Sequence, residues 1–213
     1  MRRVQFQNGY YYHIYNRGVD KRDIFLDRED YIKFIYKMND HNNETTLSNR
    51  HLVSMDTKCL DERQYDKKVF NIICYSLASN HYHFLLKQNY EDGISKFLHR
   101  LQMGYVKYFN KKHKRSGALF QGTFKAIPVK TESYLLWLSG YINGNVEIHK
   151  ISQADTWIWS SYQDYLGVRK GSLYDREVIS EYFDNVDEYR REVDEIIKEA
   201  VQKKKEISKY TLE

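Results

Sequence analysis

The chain has 213 residues, 41% hydrophobic and 15% aromatic, enough apolar material for one packed core and too much for a disordered chain. Its net charge is +5, its two cysteines (Cys59 and Cys74) lack any metal or redox spacing, and no run approaches the ~18 apolar residues of a membrane span. A disulfide scaffold, a membrane-spanning protein and, from the absence of an apolar stretch near the basic start, a secreted one are thereby excluded, which points to the cytoplasm.

In chain order, GYYYHIYNRG (9–18) reads as a strand entering an Asn-Arg-Gly turn. Asp27 caps a helix in which Tyr31, Phe34, Ile35 and Met38 recur at helical spacing. Residues 41–68 are polar and aperiodic apart from Leu52 and Val53, and read as a long insertion. VFNIICYSLA (69–78) is a buried strand, and Ser79-Asn80 turns the chain into a second strand over 80–88. Gly93 to His113 is an amphipathic helix with Ile94, Phe97, Leu98, Leu101, Tyr105, Tyr108 and Phe109 on its apolar side. A basic loop around Gly117 leads to a fourth strand within Leu119 to Val129, which Pro128 interrupts, and Thr131 then caps a helix to about Asn145.

That order of strands and helices predicts an α+β fold, an antiparallel ferredoxin-like sheet with helices packed on it. Residues 1–150 are expected to form its main domain. Residues 151–213 add a Trp/Tyr-rich connector, TWIWSSYQDYLG, and two acidic amphipathic helices near 175–184 and 186–203. The apolar positions of those helices (Val178, Ile179, Phe183, Val186, Tyr189, Val193, Ile196, Ile197) should bury against something. Docking on the same chain with partial masking of a basic groove is the favoured arrangement, with covering of the sheet or pairing of two chains as alternatives.

Charge is unevenly spread. Gly93 to Thr131 holds nine Lys or Arg and no Asp or Glu, whereas Asp175 to Glu199 holds ten acidic residues against four basic ones. The basic middle is a candidate polyanion-binding surface and the tail is not.

The chemistry centres on NHYHFLLK. In a strand, alternate side chains share a face, so His81 and His83 project together, roughly 6–7 Å apart along the backbone, while Tyr82 and Phe84 point to a core. Two imidazoles on a rigid strand suit a divalent cation that keeps open positions for substrate. On the helix from Thr131, Tyr141 and Asn145 are i and i+4 neighbours, about 5–6 Å apart at their bases. An amide oxygen is an acceptable third ligand for a hard cation, and a phenol can be a nucleophile, although spacing alone does not raise Tyr141 above Tyr105 or Tyr134.

NHYHFLLK resembles the His-hydrophobe-His signature of the HUH endonuclease superfamily, and GYINGNVEIHK the nucleophile helix of single-tyrosine transposases. The segments YHIYNRGVDKRDIFLDREDY, GALFQGTFKAIPV and WIWSSYQDYLG are similar, in the same order, to segments of REP-associated tyrosine transposases, so the resemblance spans most of residues 9–167. It implies an HUH fold and metal-dependent cleavage and rejoining of single-stranded DNA, or of DNA hairpins, through a 5′-phosphotyrosine. His81, His83 and Asn145 would hold Mg²⁺ or Mn²⁺, and Tyr141 would be the nucleophile. DNA contacts are expected from Arg17, Lys21, Arg22, Lys107, Lys111, Lys112, Lys114, Arg115 and Lys125, in a monomer or homodimer. The chain departs from the family at Ser79 and Val146, where proline is usual, and at Asn143 and Gly144, where His and Leu are usual. A non-catalytic single-strand-binding module and a metal phosphoesterase that uses water remain the alternatives.

Overall fold

A computed structural model describes residues 4–40, 69–169, 171 and 173–210, so the insertion read at 41–68, with Leu52, Val53 and Cys59, lies outside the described residues. Four strands, β1 (Tyr11–Arg17), β2 (Phe70–Ala78), β3 (His81–Gln88) and β4 (Lys125–Val129), form one antiparallel sheet in the order β2-β3-β1-β4. This is the α+β, ferredoxin-like arrangement expected from the sequence.

Strand alternation divides the side chains between two layers. Tyr12, Ile14, Tyr82, Phe84 and Leu86 face one core, shared with α1 (Arg28–Asp40) and α2 (Gly93–Lys112). His13, Tyr15 and Arg17 of β1 and His81, His83 and Leu85 of β3 face the other layer, where α3 (Glu132–Asn143) and the short α4 (Asn145–Ile148) pack. A bulge between Ile72 and Cys74 shifts the phase of β2, so that Phe70, Ile72, Tyr75 and Leu77 all serve the first core while Ile73 and Cys74 serve the second. Tyr105 and Phe120 are buried in the first core, which makes them packing residues rather than a stacking platform.

The fourth strand is shorter than its sequence segment. Before Lys125 the chain makes only an isolated bridge, Phe120 to Gly18, and turns at Gly122 with φ +72°. Pro128 is tolerated because β4 is an edge strand. The opposite edge, β2, is covered by the connector. Leu77 N–H donates to the Trp159 carbonyl (3.0 Å), Trp157 Nε1 to the Leu77 carbonyl (3.0 Å), and Tyr75 N–H to Ser161 Oγ (2.9 Å). A paired edge cannot recruit a foreign strand.

After α5 (Tyr162–Tyr165), the acidic helix expected near 175–184 is reduced to α6 (Glu177–Ser180), and the last helix is longer than expected, α7 (Val186–Tyr210). It docks on the same chain. Tyr189, Val193, Ile196 and Ile197 are buried against α3 and α4, whereas Val186 is exposed. Two glycines permit the approach: a Cβ on Gly140 would meet Ile196 Cδ1 at 2.5 Å, and one on Gly144 would meet Ile197 Cγ1 at 2.5 Å. Asn143 donates to Tyr189 Oη (2.8 Å) and accepts from Ser161 Oγ (2.8 Å), pinning α3 to both α7 and the connector. Two of the four departures from the family pattern, Asn143 and Gly144, thus make contacts that seat α7. Among the described residues no helix is long and apolar enough to cross a membrane.

Candidate active site

The Asn-Arg-Gly turn fixes the mouth of the site. Gly18 N–H donates to the Asn80 carbonyl (2.8 Å), and a Cβ there would meet the Arg22 carbonyl oxygen at 2.1 Å, so only glycine fits. Arg17 stands directly opposite His81 in the β1–β3 register, and Tyr15 stands between His83 on β3 and Lys125 on β4. Directly opposed residues share a face, so Arg17, Lys125 and both histidines line one surface. Arg17 Nε donates to Gln121 Oε1, and Lys125 Nζ lies 5.8 Å from the Tyr15 ring centre.

The sequence-predicted ligands converge. The His81 and His83 rings are 5.3 Å apart and perpendicular. His81 has an oxygen at each ring nitrogen, Asn80 Oδ1 at 2.6 Å from Nδ1 and Asn145 Oδ1 at 2.8 Å from Nε2. Burial lowers the proton affinity of His81, against which the Asn145 contact works, so the ring is neutral near pH 7 and has a single N–H. With that N–H donated to Asn80, the Nε2 lone pair faces the lone pairs of the Asn145 oxygen. Either the amide turns over or a cation lies between them. A ring nitrogen and an amide oxygen 2.8 Å apart are a donor pair that a hard divalent cation accepts. Asn145 is fully buried and its Nδ2 has no partner, as expected of an amide held for its oxygen. These residues therefore fit Mg²⁺ or Mn²⁺.

Tyr141 borders this cluster. Its ring lies edge-on to His83 at 6.0 Å and stacks on Trp137 at 5.2 Å. Burial, with smaller contributions from Tyr134 and Tyr15, raises its pKa above that of a free phenol. Its hydroxyl has no hydrogen-bond partner among the described residues. Tyr134 lies beyond Trp137, a further ring from His83, and Tyr105 is in the opposite core with its hydroxyl donated to the Ile24 carbonyl (2.5 Å). Of these three tyrosines, Tyr141 is the one whose ring borders His83.

Three further residues complete the site. His13 Nε2 meets His83 Nδ1 at 2.8 Å, and burial brings the pKa of His13 down to about 4. His83 lies well below its ordinary value, first through burial and then through the neighbouring His13, His81 and His149. His149 packs on His81 with ring centres 4.8 Å apart, and Lys204 Nζ from α7 donates to His149 Nε2 at 3.0 Å. The sequence carried a weak signal for His13, which alternates with Tyr15 and Arg17 on one strand, and for His149, four residues after Asn145.

The remaining basic residues lie elsewhere. Lys21 and Arg22 follow β1, and Lys107, Lys111, Lys112, Lys114 and Arg115 belong to the C-terminal end of α2 and its loop, in the layer across the sheet from the histidines. The two segments are neighbours, because Val19 N–H donates to the Leu119 carbonyl (2.9 Å). Lys112 is balanced within the chain by Asp27 (2.7 Å), Asp30 (3.0 Å) and Glu29 (3.1 Å). Asp27, Asp30 and His113 also stand close enough together to hold a metal, but the Lys112 ammonium already supplies the positive charge there.

Comparison with known proteins gives the family and a likeness of fold. The family profile described as "Transposase IS200 like" matches residues 6–145, about two thirds of the chain. The chain belongs to the IS200-like transposases. No curated protein matches it. Among solved structures it is similar to a REP-associated tyrosine transposase bound to a REP hairpin, with a TM-score of 0.54 and 14% identity over 83% of this chain and 97% of that one, a likeness of fold. In this IS200-like transposase the profile ends at Asn145, so it takes in His13, His81, His83 and Tyr141 but stops short of His149 and Lys204.

Proposed function

We propose that this transposase cleaves and rejoins single-stranded DNA by transesterification, with Tyr141 as the nucleophile and His81, His83 and Asn145 as ligands of Mg²⁺ or Mn²⁺. The observation that carries the reading is the meeting of His81 Nε2 with Asn145 Oδ1 at 2.8 Å beside a half-buried Tyr141 whose hydroxyl is unengaged. When bound, the cation polarises the scissile phosphate and compensates the charge gained in the transition state.

The chain's own residues do the rest. Trp137 stacks on Tyr141 and limits the ring's orientation toward His83. Tyr141 Oη attacks phosphorus, the bond to the 3′-oxygen breaks, and the strand leaves with a 3′-hydroxyl while its neighbour stays attached as a 5′-phosphotyrosine. The phenol proton is given up as Oη bonds to phosphorus, and the departing 3′-oxygen takes one from solvent. Attack by a 3′-hydroxyl on the phosphotyrosine reverses the step and rejoins DNA without ATP.

Arg17 and Lys125 flank the histidines and would steer the single strand across them. Lys21, Arg22, Lys107, Lys111, Lys114 and Arg115 form a second basic surface, which we assign to the stem of a DNA hairpin; Lys112 is committed to its acidic neighbours. We take the protein to act in the cytoplasm as a monomer or homodimer, with residues 1–150 as the catalytic domain and 151–213 as its extension. The similarity in fold to a protein seen with a REP hairpin favours hairpin-forming repeats as the substrate class.

The test is incubation of wild type and Tyr141→Phe with labelled single-stranded hairpin oligonucleotides and Mn²⁺, resolved on a denaturing gel. Wild type should give a covalent protein–DNA band that the variant lacks. Cleavage without such a band would favour a phosphoesterase that uses water, and binding without cleavage a non-catalytic module.

A further inference from the structure

The segment of α7 that reaches the site is not acidic. From Lys198 to Lys209 there are five lysines against two glutamates, the reverse of the balance earlier in the tail. Apolar contacts at Val193, Ile196 and Ile197, not charge, dock the helix on α3, and two turns further on it presents Lys204 to His149. An acidic element masking a basic groove is therefore not what the structure contains.

Lys204 has no carboxylate partner among the described residues; its only hydrogen bond is to a neutral imidazole nitrogen. An ammonium has three N–H groups, so two remain for an incoming acceptor. Across His81, Arg17 is likewise held by an amide, Gln121, and not by an acid. Two cations without acidic partners among the described residues thus stand near His81, Arg17 opposite it in the β1–β3 register and Lys204 through His149, and the charges of both act on it. An anion is the missing partner, and lysine provides a point charge suited to a phosphate oxygen.

We infer that Lys204, held by His149 and assisted by Arg17, the register partner of His81, forms a phosphate-binding subsite that takes a backbone phosphodiester of the single strand next to the His81–His83–Asn145 cluster. The subsite rests on the reading of the protein as a single-strand DNA transposase and gives α7 a part in the site: the helix supplies a DNA contact. His149 acts as a positioning residue, accepting one N–H of Lys204 and so aiming the other two at the strand.

The experiment separates this subsite from the cleavage chemistry. Binding of a labelled single-stranded oligonucleotide is measured with the full-length Tyr141→Phe protein in EDTA, so that neither nucleophile nor metal contributes, over a range of salt concentrations. Lys204→Gln should weaken binding and reduce the slope of log K against log salt by about 0.7, the value of one phosphate contact on a single strand. Lys204→Arg should restore the parental slope, and Lys96→Gln, on α2 in the other layer, should leave it unchanged. Thermal denaturation checks that α7 stays docked in each variant. A parental slope in Lys204→Gln overturns the subsite even if wild type forms the tyrosine adduct. Loss of the slope in Lys204→Gln with rescue by Lys204→Arg supports it even if no adduct ever forms.

Discussion

Replacing His13 by Phe keeps an aromatic ring in the stack with Tyr15 and His83 but removes the nitrogen that meets His83 Nδ1 at 2.8 Å. A buried ring nitrogen left unpaired costs about 1–3 kcal/mol of stability near neutral pH. The same bond decides which His83 nitrogen keeps its lone pair, and partners of that kind are worth about 10–100-fold in metal affinity, or roughly 1.4–2.7 kcal/mol. The acid response runs the other way. His13 takes its proton at about pH 4 when folded and near 6.5 when unfolded, so as pH falls the unfolded chain is protonated first. The stability tied to neutral His13 is fully present above about pH 6.5 and is lost as pH falls toward 4, roughly 3 kcal/mol in all. His13→Phe removes that loss. In urea titrations from pH 7.5 to 4.5, the variant should start less stable than wild type and meet or overtake it at the acid end. Calorimetric titration at pH 7.5 should show the weaker Mn²⁺ binding. Parallel stability curves with unchanged Mn²⁺ affinity would refute the assignment of His13 as the partner that orients His83.

Three further expectations use other parts of the structure. His81→Ala and His83→Ala should each abolish cleavage, as should EDTA added to wild type, whereas Asn145→Ala should weaken Mn²⁺ dependence less because water can replace a neutral ligand; undiminished cleavage in EDTA, read on the same gel, removes the metal from the reading. Gly144→Leu should drive Ile197 away and destabilise the protein by about 1–3 kcal/mol in thermal denaturation, with partial recovery in the double variant with Ile197→Ala; no change would mean that α7 is not seated there. Arg17→Gln and Lys125→Gln should each take about 0.7 off the salt slope for an unstructured single strand, while joint replacement of Lys107, Lys111 and Lys114 by Gln should weaken binding of a hairpin and spare the unstructured strand. Equal losses on both DNAs would merge the two surfaces into one.

Much of this molecule could be read from local pattern because the pattern had a single physical cause. Alternation in NHYHFLLK places His81 and His83 on one face whatever the register, and Tyr141 and Asn145, four residues apart, reach His83 and His81 although Asn145 opens the separate short helix α4. What stayed hidden depends on contacts between distant segments. His13 gains its meaning only from the β1–β3 register, in which Tyr15 lies opposite His83 and His13 reaches the same ring diagonally. The basic run from Gly93 to Thr131 looked like one surface because charge was counted along the chain. The sheet divides it, leaving the end of α2 in one layer and Lys125 in the other, beside the histidines.

The tail docks on the same chain as its apolar spacing predicts, but the acidic stretch ends at Glu199, and the contact with His149 lies five residues further on, about 7.5 Å at ~1.5 Å per helical residue. The glycines at 140 and 144, four apart on one side of α3, were the local sign that another helix lies across the nucleophile's helix at close range. Had α7 been there only to cover an apolar face, its last turns would need no particular side chain at position 204. A lysine with no acid beside it among the described residues, held by His149 next to His81, is better explained by a strand of DNA than by packing, and its salt slope is where the two explanations part.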